Sequence, residues 1–173
     1  MRLAQRYWWK VVAAALVAAA EACAQELDAG ARRIVVSIPD RKLVVLDGGR
    51  VVKTYNVAVG APASPSPVGT FRVASRVVDP AWYHPGKVVP PGPSNPLGPR
   101  WIGLDHKGYG IHGTNSPRSI GSAKSRGCIR MRNIDVKELF EWVTLGDVVE
   151  LRAEPMAELQ KVLASAPTLI AER

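Results

Sequence analysis

Cysteine is scarce in this chain of 173 residues. There are two, Cys23 and Cys128, and neither belongs to a close C-x-x-C pair of the kind that holds structural zinc. A metal site would have to gather His84, His106, His112 and Cys128 from four separate places, so neither a metal nor another cofactor is expected. Long apolar runs are missing too: the Ala/Val-rich stretch 11–20 is well short of the roughly 20 residues that cross a bilayer. No dense basic run with interleaved aromatics occurs, which excludes nucleic acid as the expected partner despite a formal net charge of +8. No internal repeat is present. What remains is one domain of ordinary composition, 47% hydrophobic and 22% charged, whose basic surplus suits an anionic polymer or surface.

The first 24 residues have the form of a secretion signal. Arg2, Arg6 and Lys10 make a positive start, the uncharged stretch 11–20 follows, and Ala22-Cys23-Ala24 offers a small-x-small cleavage site before Gln25. The alternatives are an uncut N-terminal anchor or lipidation at Cys23, the latter disfavoured by Glu21. Cleavage would remove three basic residues and one acid, lowering the net charge by two, to +6. The expectation is an exported protein of the periplasm or cell wall, with no stable membrane span after cleavage. Cys128 is then the only cysteine left. It cannot form an internal disulfide, so it is either an inert buried residue or a thiol kept for chemistry.

From Arg33 the chain turns to branched, strand-forming runs at 34–38, 42–46 and 51–59, the last two joined by Asp47-Gly48-Gly49-Arg50, a tight hairpin turn. Residues 69–77 alternate at period two, and strands are expected again at 101–104, 109–112 and 147–151. Between them, seven of the twenty residues 80–99 are proline, which excludes a helix or a central strand and suggests an ordered flap over a cleft. Trp82 and Tyr83 lie in that stretch as candidate stacking surfaces. One substantial helix is predicted, capped by Asn133, with Asp135 at its positive end, Val136, Leu139, Phe140 and Val143 on one face and Gly146 at C′. A short peripheral helix is expected at 156–163.

Two runs carry chemistry. His112 opens His-Gly-Thr-Asn-Ser-Pro, and sixteen residues later Cys128 sits in Ser-Arg-Gly-Cys-Ile-Arg-Met-Arg, among Arg126, Arg130 and Arg132. Cationic neighbours lower a thiol's pKa, and an imidazole within reach can take its proton, so a depressed thiol pKa is expected. Gly127 would let backbone approach a substrate and offer an N–H to an oxyanion. Spacing alone does not establish that His112 meets Cys128.

The run from Ile111 to Met131 resembles the active-site signature of the L,D-transpeptidase catalytic domain, the YkuD domain: His-Gly-Thr, a gap, then Ser-His-Gly-Cys. Ser66-Pro67-Val68-Gly69-Thr70-Phe71 resembles that family's TP-x-G-x-F element, and Asn95-Pro96-Leu97-Gly98-Pro99-Arg100 its N-P-L-G-x-R element. The elements occur in family order. The resemblance covers about 33–152, leaving 1–24 as signal and 153–173 as a C-terminal helical tail. It implies a mainly β, sandwich-like catalytic domain with one substantial helix and the proline-rich flap, acting on peptidoglycan stem peptides. Cys128 would be the nucleophile and His112 the base, oriented by the Gly113 carbonyl, with Ser125 and Gly127 completing the cysteine loop. The acceptor would be an amine of a second stem peptide or of a wall-anchored protein, with water making the enzyme a hydrolase; a non-catalytic wall-binding module is the reading from another class. Two departures stand out. Arg126 replaces the signature's His, and Arg130 stands where a polar residue is often found. Either arginine would grip a stem-peptide carboxylate, or simply stiffen the loop.

Overall fold

Branched residues dominate the first half of the chain, and their alternation sets the two faces of the main sheet. The computed structural model describes residues 32–165. Strands β1 (Arg33–Ser37), β2 (Lys42–Asp47) and β3 (Arg50–Asn56) form a meander. Gly48 and Gly49, at φ of 55° and 77°, make the β2–β3 turn that needs left-handed backbone twice in succession. Ile34, Val36, Leu43 and Val45 point into the core, whereas Val35, Val44 and Leu46 point to the opposite face.

The expected third strand over 51–59 is two pieces. β3 ends at Asn56, and β4 is only Val59–Gly60. In the gap, the Val57 N–H donates to the Arg41 carbonyl, and Ala58 forms a two-way bridge with Arg130. That break lets the strand leave one sheet edge and meet the other.

Next come β5 (Gly69–Val78), β6 (Trp82–His84), β7 (Lys87–Val89), β8 (Arg100–Leu104), β9 (Gly110–His112), β10 (Ala123–Ser125), β11 (Ile129–Arg130) and β12 (Val148–Arg152). The main sheet has eight strands in the order β11-β9-β8-β5-β12-β1-β2-β3. The front of the ten-residue β5 pairs with β12 and the rest with β8, with an irregularity between Val73 and Ser75. Such irregularities bend a strand and raise its twist. The sheet therefore curls, and the Ala58–Arg130 bridge ties its β11 end to the chain leaving β3. The main apolar core fills the inside of the curl.

Helix α1 (Asn133–Trp142) lays Val136, Leu139 and Phe140 into that core, as the i, i+3, i+4 spacing predicts. Its caps differ from expectation. The N-cap is Arg132, with no side-chain capping bond, because the Asn133 carboxamide is engaged elsewhere. The C-cap is Val143, and Gly146 (φ 90°) instead serves the turn into β12, where its N–H donates to the Val73 carbonyl. On the other face, α2 (Met156–Ser165) covers Val35, Val44 and Leu46 with Met156 and Leu159. The Met156 N–H at its start donates to Asp40 Oδ2 at 2.6 Å.

The proline-rich segment carries no helix and joins no central position of the sheet. It does contain strand: β6 and β7 pair as a separate two-stranded hairpin around Pro85-Gly86. Its base is pinned by Asn95, fully buried, whose Nδ2 donates to the Pro80, Val89 and Pro90 carbonyls. Asn95 Oδ1 accepts from the Leu97 N–H at 2.8 Å.

Candidate active site

The sequence puts Ile111 and Ile129 in the core, so the residues on either side of them face outward. β9 and β11 run parallel with Ile111 beside Ile129 and His112 beside Arg130. Cys128 lies two residues before Arg130, in the bend that leads into β11. Topology therefore brings the cysteine loop beside the strand that carries His112, although sixteen residues separate the two in sequence.

His112 is held closely. Its Nδ1 donates to the Gly113 carbonyl at 2.6 Å, and its ring stacks on Trp101, the cross-strand partner on β8, with centroids 5.7 Å apart. Trp101 has room to lie there because Gly103 and Gly110 carry no side chain: a Cβ on either would come within 2.7 Å of the indole. Burial lowers the imidazole pKa to about 4, helped by the Arg130 charge and opposed by the Gly113 and Leu97 carbonyls. The ring is neutral at pH 7, its Nδ1 proton committed to Gly113.

Cys128 belongs to a loop tied down from behind. Ser125 Oγ donates to the Cys128 carbonyl at 2.6 Å and accepts the Gly127 N–H at 3.0 Å. The buried Ser66 Oγ donates to the Gly127 carbonyl at 2.8 Å and accepts the Gly60 N–H at 2.9 Å. Gly127 has φ of 106°, and a Cβ there would lie 2.6 Å from Tyr109 Cε1. This corrects one expectation. The Gly127 N–H is taken by Ser125, so Gly127 supplies the turn and the clearance rather than an oxyanion donor.

The expected depression of the thiol pKa is also overturned. Burial pushes Cys128 above the usual thiol value; a backbone hydrogen bond from Gly110 and the Arg130 charge pull downward without winning. The loop is rich in arginine, but the arginines do not all point inward. Arg126 is exposed and reaches out to His84 Nε2 at 3.5 Å, and Arg132 starts the helix. The thiol contacts the Gly108 carbonyl at 3.5 Å, and among the described residues no hydrogen bond joins it to His112. At rest the sulfur is held as a thiol and the imidazole is neutral.

Arg130 sits beside His112 on the same face of the strands, and no described acidic side chain forms an ion pair with it or with Arg126. Trp82 packs its ring near His84 at 5.2 Å on the hairpin, while Tyr83 is 76% exposed. The Arg126–His84 contact joins that hairpin to the cysteine loop. Ser66, Trp101, Tyr109 and Asn133 were not identified as site residues from sequence. Ser66 and Trp101 do lie within or beside the quoted motif elements, which was the available signal. Among the described residues no three His, Cys, Asp or Glu side chains converge as metal ligands.

The model of the L,D-transpeptidase catalytic domain family, YkuD, matches residues 31–151. The chain belongs to that family. This L,D-transpeptidase-family domain is 43% identical over 119 residues to the "Putative L,D-transpeptidase YkuD" of Bacillus licheniformis, covering 69% of this chain and 64% of that protein. It is 33% identical over 139 residues to the "Probable L,D-transpeptidase YbiS" of Escherichia coli, covering 71% and 45%. The match thus spans a little under two thirds of the Bacillus relative and less than half of the Escherichia coli one. Among solved structures, the catalytic domain of the Enterococcus faecium L,D-transpeptidase aligns with a TM-score of 0.58 and 26% identity, over 71% of this chain and 98% of that one. An L,D-transpeptidase from Mycobacterium smegmatis aligns at 0.60 with 22% identity, over 70% and 58%, and shares the fold. The mainly β, curled architecture is that of L,D-transpeptidase domains.

Proposed function

We propose that this protein is a peptidoglycan L,D-transpeptidase working through a thioester on Cys128. The observation that supports it most is the pairing of β9 with β11, which runs the cysteine loop beside the strand of His112, while the Gly113 carbonyl commits His112 to the Nδ1–H tautomer. Its Nε2 is then free to accept a proton.

In the first step Cys128 Sγ attacks the carbonyl carbon of the third, dibasic residue of a tetrapeptide stem as His112 Nε2 takes the thiol proton. The amide bond to the terminal D-alanine breaks, and the imidazolium gives its proton to the leaving amine. In the second, an acceptor amine attacks the thioester and passes its proton to His112, which hands it to the departing Cys128 sulfur and so restores the thiol and the neutral imidazole. With the thiol pKa raised and the imidazole pKa lowered, the proton moves during attack, not before it. The thiol must swing from the Gly108 carbonyl towards His112, a tightening common when substrate fills a site. Arg126 and Arg130, unpaired with any described carboxylate, suit the acidic groups of a stem peptide. Trp82 and Tyr83 would meet the substrate from the hairpin, acting as a flap.

Stem peptides lie outside the cytoplasm, and the export signal read in residues 1–24, which precede the described residues, fits that location. N-terminal sequencing of protein recovered from an exporting host should begin at Gln25; an acylated Cys23 or an intact Met1 would contradict cleavage. Among the described residues no helix is long and apolar enough to cross a membrane. The reaction itself is tested by mass spectrometry of wall fragments incubated with the purified protein. Cross-linked dimers are expected. Trimmed monomers would make it a hydrolase with water as acceptor, and unchanged fragments would leave only a wall-binding module.

A further inference from the structure

A single peptide unit connects the candidate base to the helix. The Gly113 carbonyl accepts from His112 Nδ1 at 2.6 Å, and the N–H of that same trans peptide, on Thr114, donates to Asn133 Oδ1 at 2.8 Å. In a trans peptide the carbonyl and the N–H point in opposite directions within one rigid plane. Whatever fixes the N–H on one side therefore fixes the carbonyl on the other.

Asn133 is well placed to do the fixing. It is the first residue of α1, whose Val136 and Leu139 are fully buried, so its side chain rides on an anchored element. The backbone crowds around its carboxamide oxygen: a Cβ on Gly113 or on Gly98 would lie 2.5 Å from Oδ1. Two glycines thus allow two backbone segments to close on one side-chain atom. Meanwhile the start of α1 has no side-chain capping bond. A residue type favoured for capping helices is spent instead on a peptide nineteen residues away.

We infer that Asn133 is a positioning residue for His112, acting through the Gly113–Thr114 peptide. Its hydrogen bond holds the plane of the peptide and polarises the carbonyl, strengthening the Nδ1–H bond by the cooperativity of linked hydrogen bonds. The result is an imidazole kept in one tautomer and one orientation, with Nε2 as the free nitrogen. The consequence for acyl transfer rests on the reading of His112 as the base; the effect on the tautomer does not.

The test combines nitrogen NMR of labelled histidine with acylation kinetics on a stem peptide, in the full chain. Asn133→Ala should raise the fraction of His112 protonated on Nε2. It should lower the acylation rate constant by about 10-fold while changing KM by no more than about two-fold. Asn133→Asp keeps an acceptor oxygen in place and should restore both the tautomer and the rate to within about three-fold of wild type. Should the alanine variant fold poorly, Asn133→Ser, too short to reach the Thr114 N–H, carries the same expectations. An unchanged tautomer in the shortened variants, or an Asp variant no better than Ala, would overturn the inference. His112→Ala in the same assay separates the two ideas. If it still acylates at the wild-type rate, the catalytic reading fails while the tautomer signal continues to judge Asn133.

Discussion

The strand that carries His112 and the loop that carries Cys128 hold their side chains in opposite ways. His112 lies within β9, cross-strand from Trp101, 5% exposed, its ring stacked on one side and its Nδ1 bonded to Gly113. Cys128 lies just before β11, on a left-handed glycine, and is partly exposed. The imidazole is fixed by the sheet; the thiol hangs from a loop that two serines brace from behind. Under the proposed function the contrast suits a division of labour in which the proton acceptor keeps one orientation and the sulfur can still turn to meet a carbonyl.

Removing the rigid partner should have the largest effect. His112→Ala is expected to slow acylation by roughly 10²- to 10⁴-fold in single-turnover assays, the usual range for loss of a positioned base. The same residue should also shape stability against pH. Its folded-state pKa of about 4 lies below the ordinary 6.5, so the unfolded chain binds its proton first as pH falls. Stability is fully present above about 6.5 and declines towards pH 4, by up to roughly 3 kcal/mol for this group. Chemical denaturation at both pH values should show that part of the decline vanish in His112→Ala; an identical decline would mean the imidazole is not buried and neutral.

Changes to the loop should come next. Gly127→Ala places a methyl against Tyr109 and forces a φ of 106° on a residue with a side chain. A loss of about 1–3 kcal/mol by denaturation is expected, with acylation slowed by about 10-fold. Ser66→Ala strips partners from the Gly60 N–H and the Gly127 carbonyl and should cost about 1–2 kcal/mol, with a milder loss of rate. If the serine change hurts activity more than the glycine change, the bracing matters more than the turn.

The smallest effect should be that of the loop's charges on the thiol. The pH profile for alkylation of Cys128 should have its midpoint above the free-thiol value of about 8.5, because burial outweighs charge. Arg130→Ala should move it slightly higher, and Arg126→Ala, whose side chain faces His84, should leave it in place. A wild-type midpoint well below that of a free thiol would reverse the comparison, making the loop an activator and not merely a support.

Much of this architecture could be read from residue order. Runs such as Ile34-Val35-Val36 and Lys42-Leu43-Val44-Val45-Leu46 announce strands buried on both faces, and Val136, Leu139 and Phe140 announce the inner face of α1. The strands that escaped notice are short and define themselves by distant partners. β11 is two residues long and exists because β9 lies beside it; β6 and β7 are hidden by flanking prolines that a free-standing hairpin tolerates. The Cys128–His112 pairing was suggested by motif resemblance, since register between β9 and β11 is invisible locally. Two chemical expectations failed for the same reason. The cap at Asn133 and the low pKa of Cys128 were inferred from neighbours in sequence, whereas Thr114 claims the first and burial decides the second.

Under the proposed function a thioester forms on Cys128 and nowhere else. Intact-protein mass spectrometry after brief exposure to a tetrapeptide stem measures this directly, with peptide mapping to locate the adduct. Wild type should gain the mass of the stem less its terminal D-alanine, on Cys128, with free D-alanine released in equal amount. Cys128→Ala and Cys128→Ser should gain no thioester. An adduct that maps to another residue, or D-alanine release that persists in Cys128→Ala, would contradict the account.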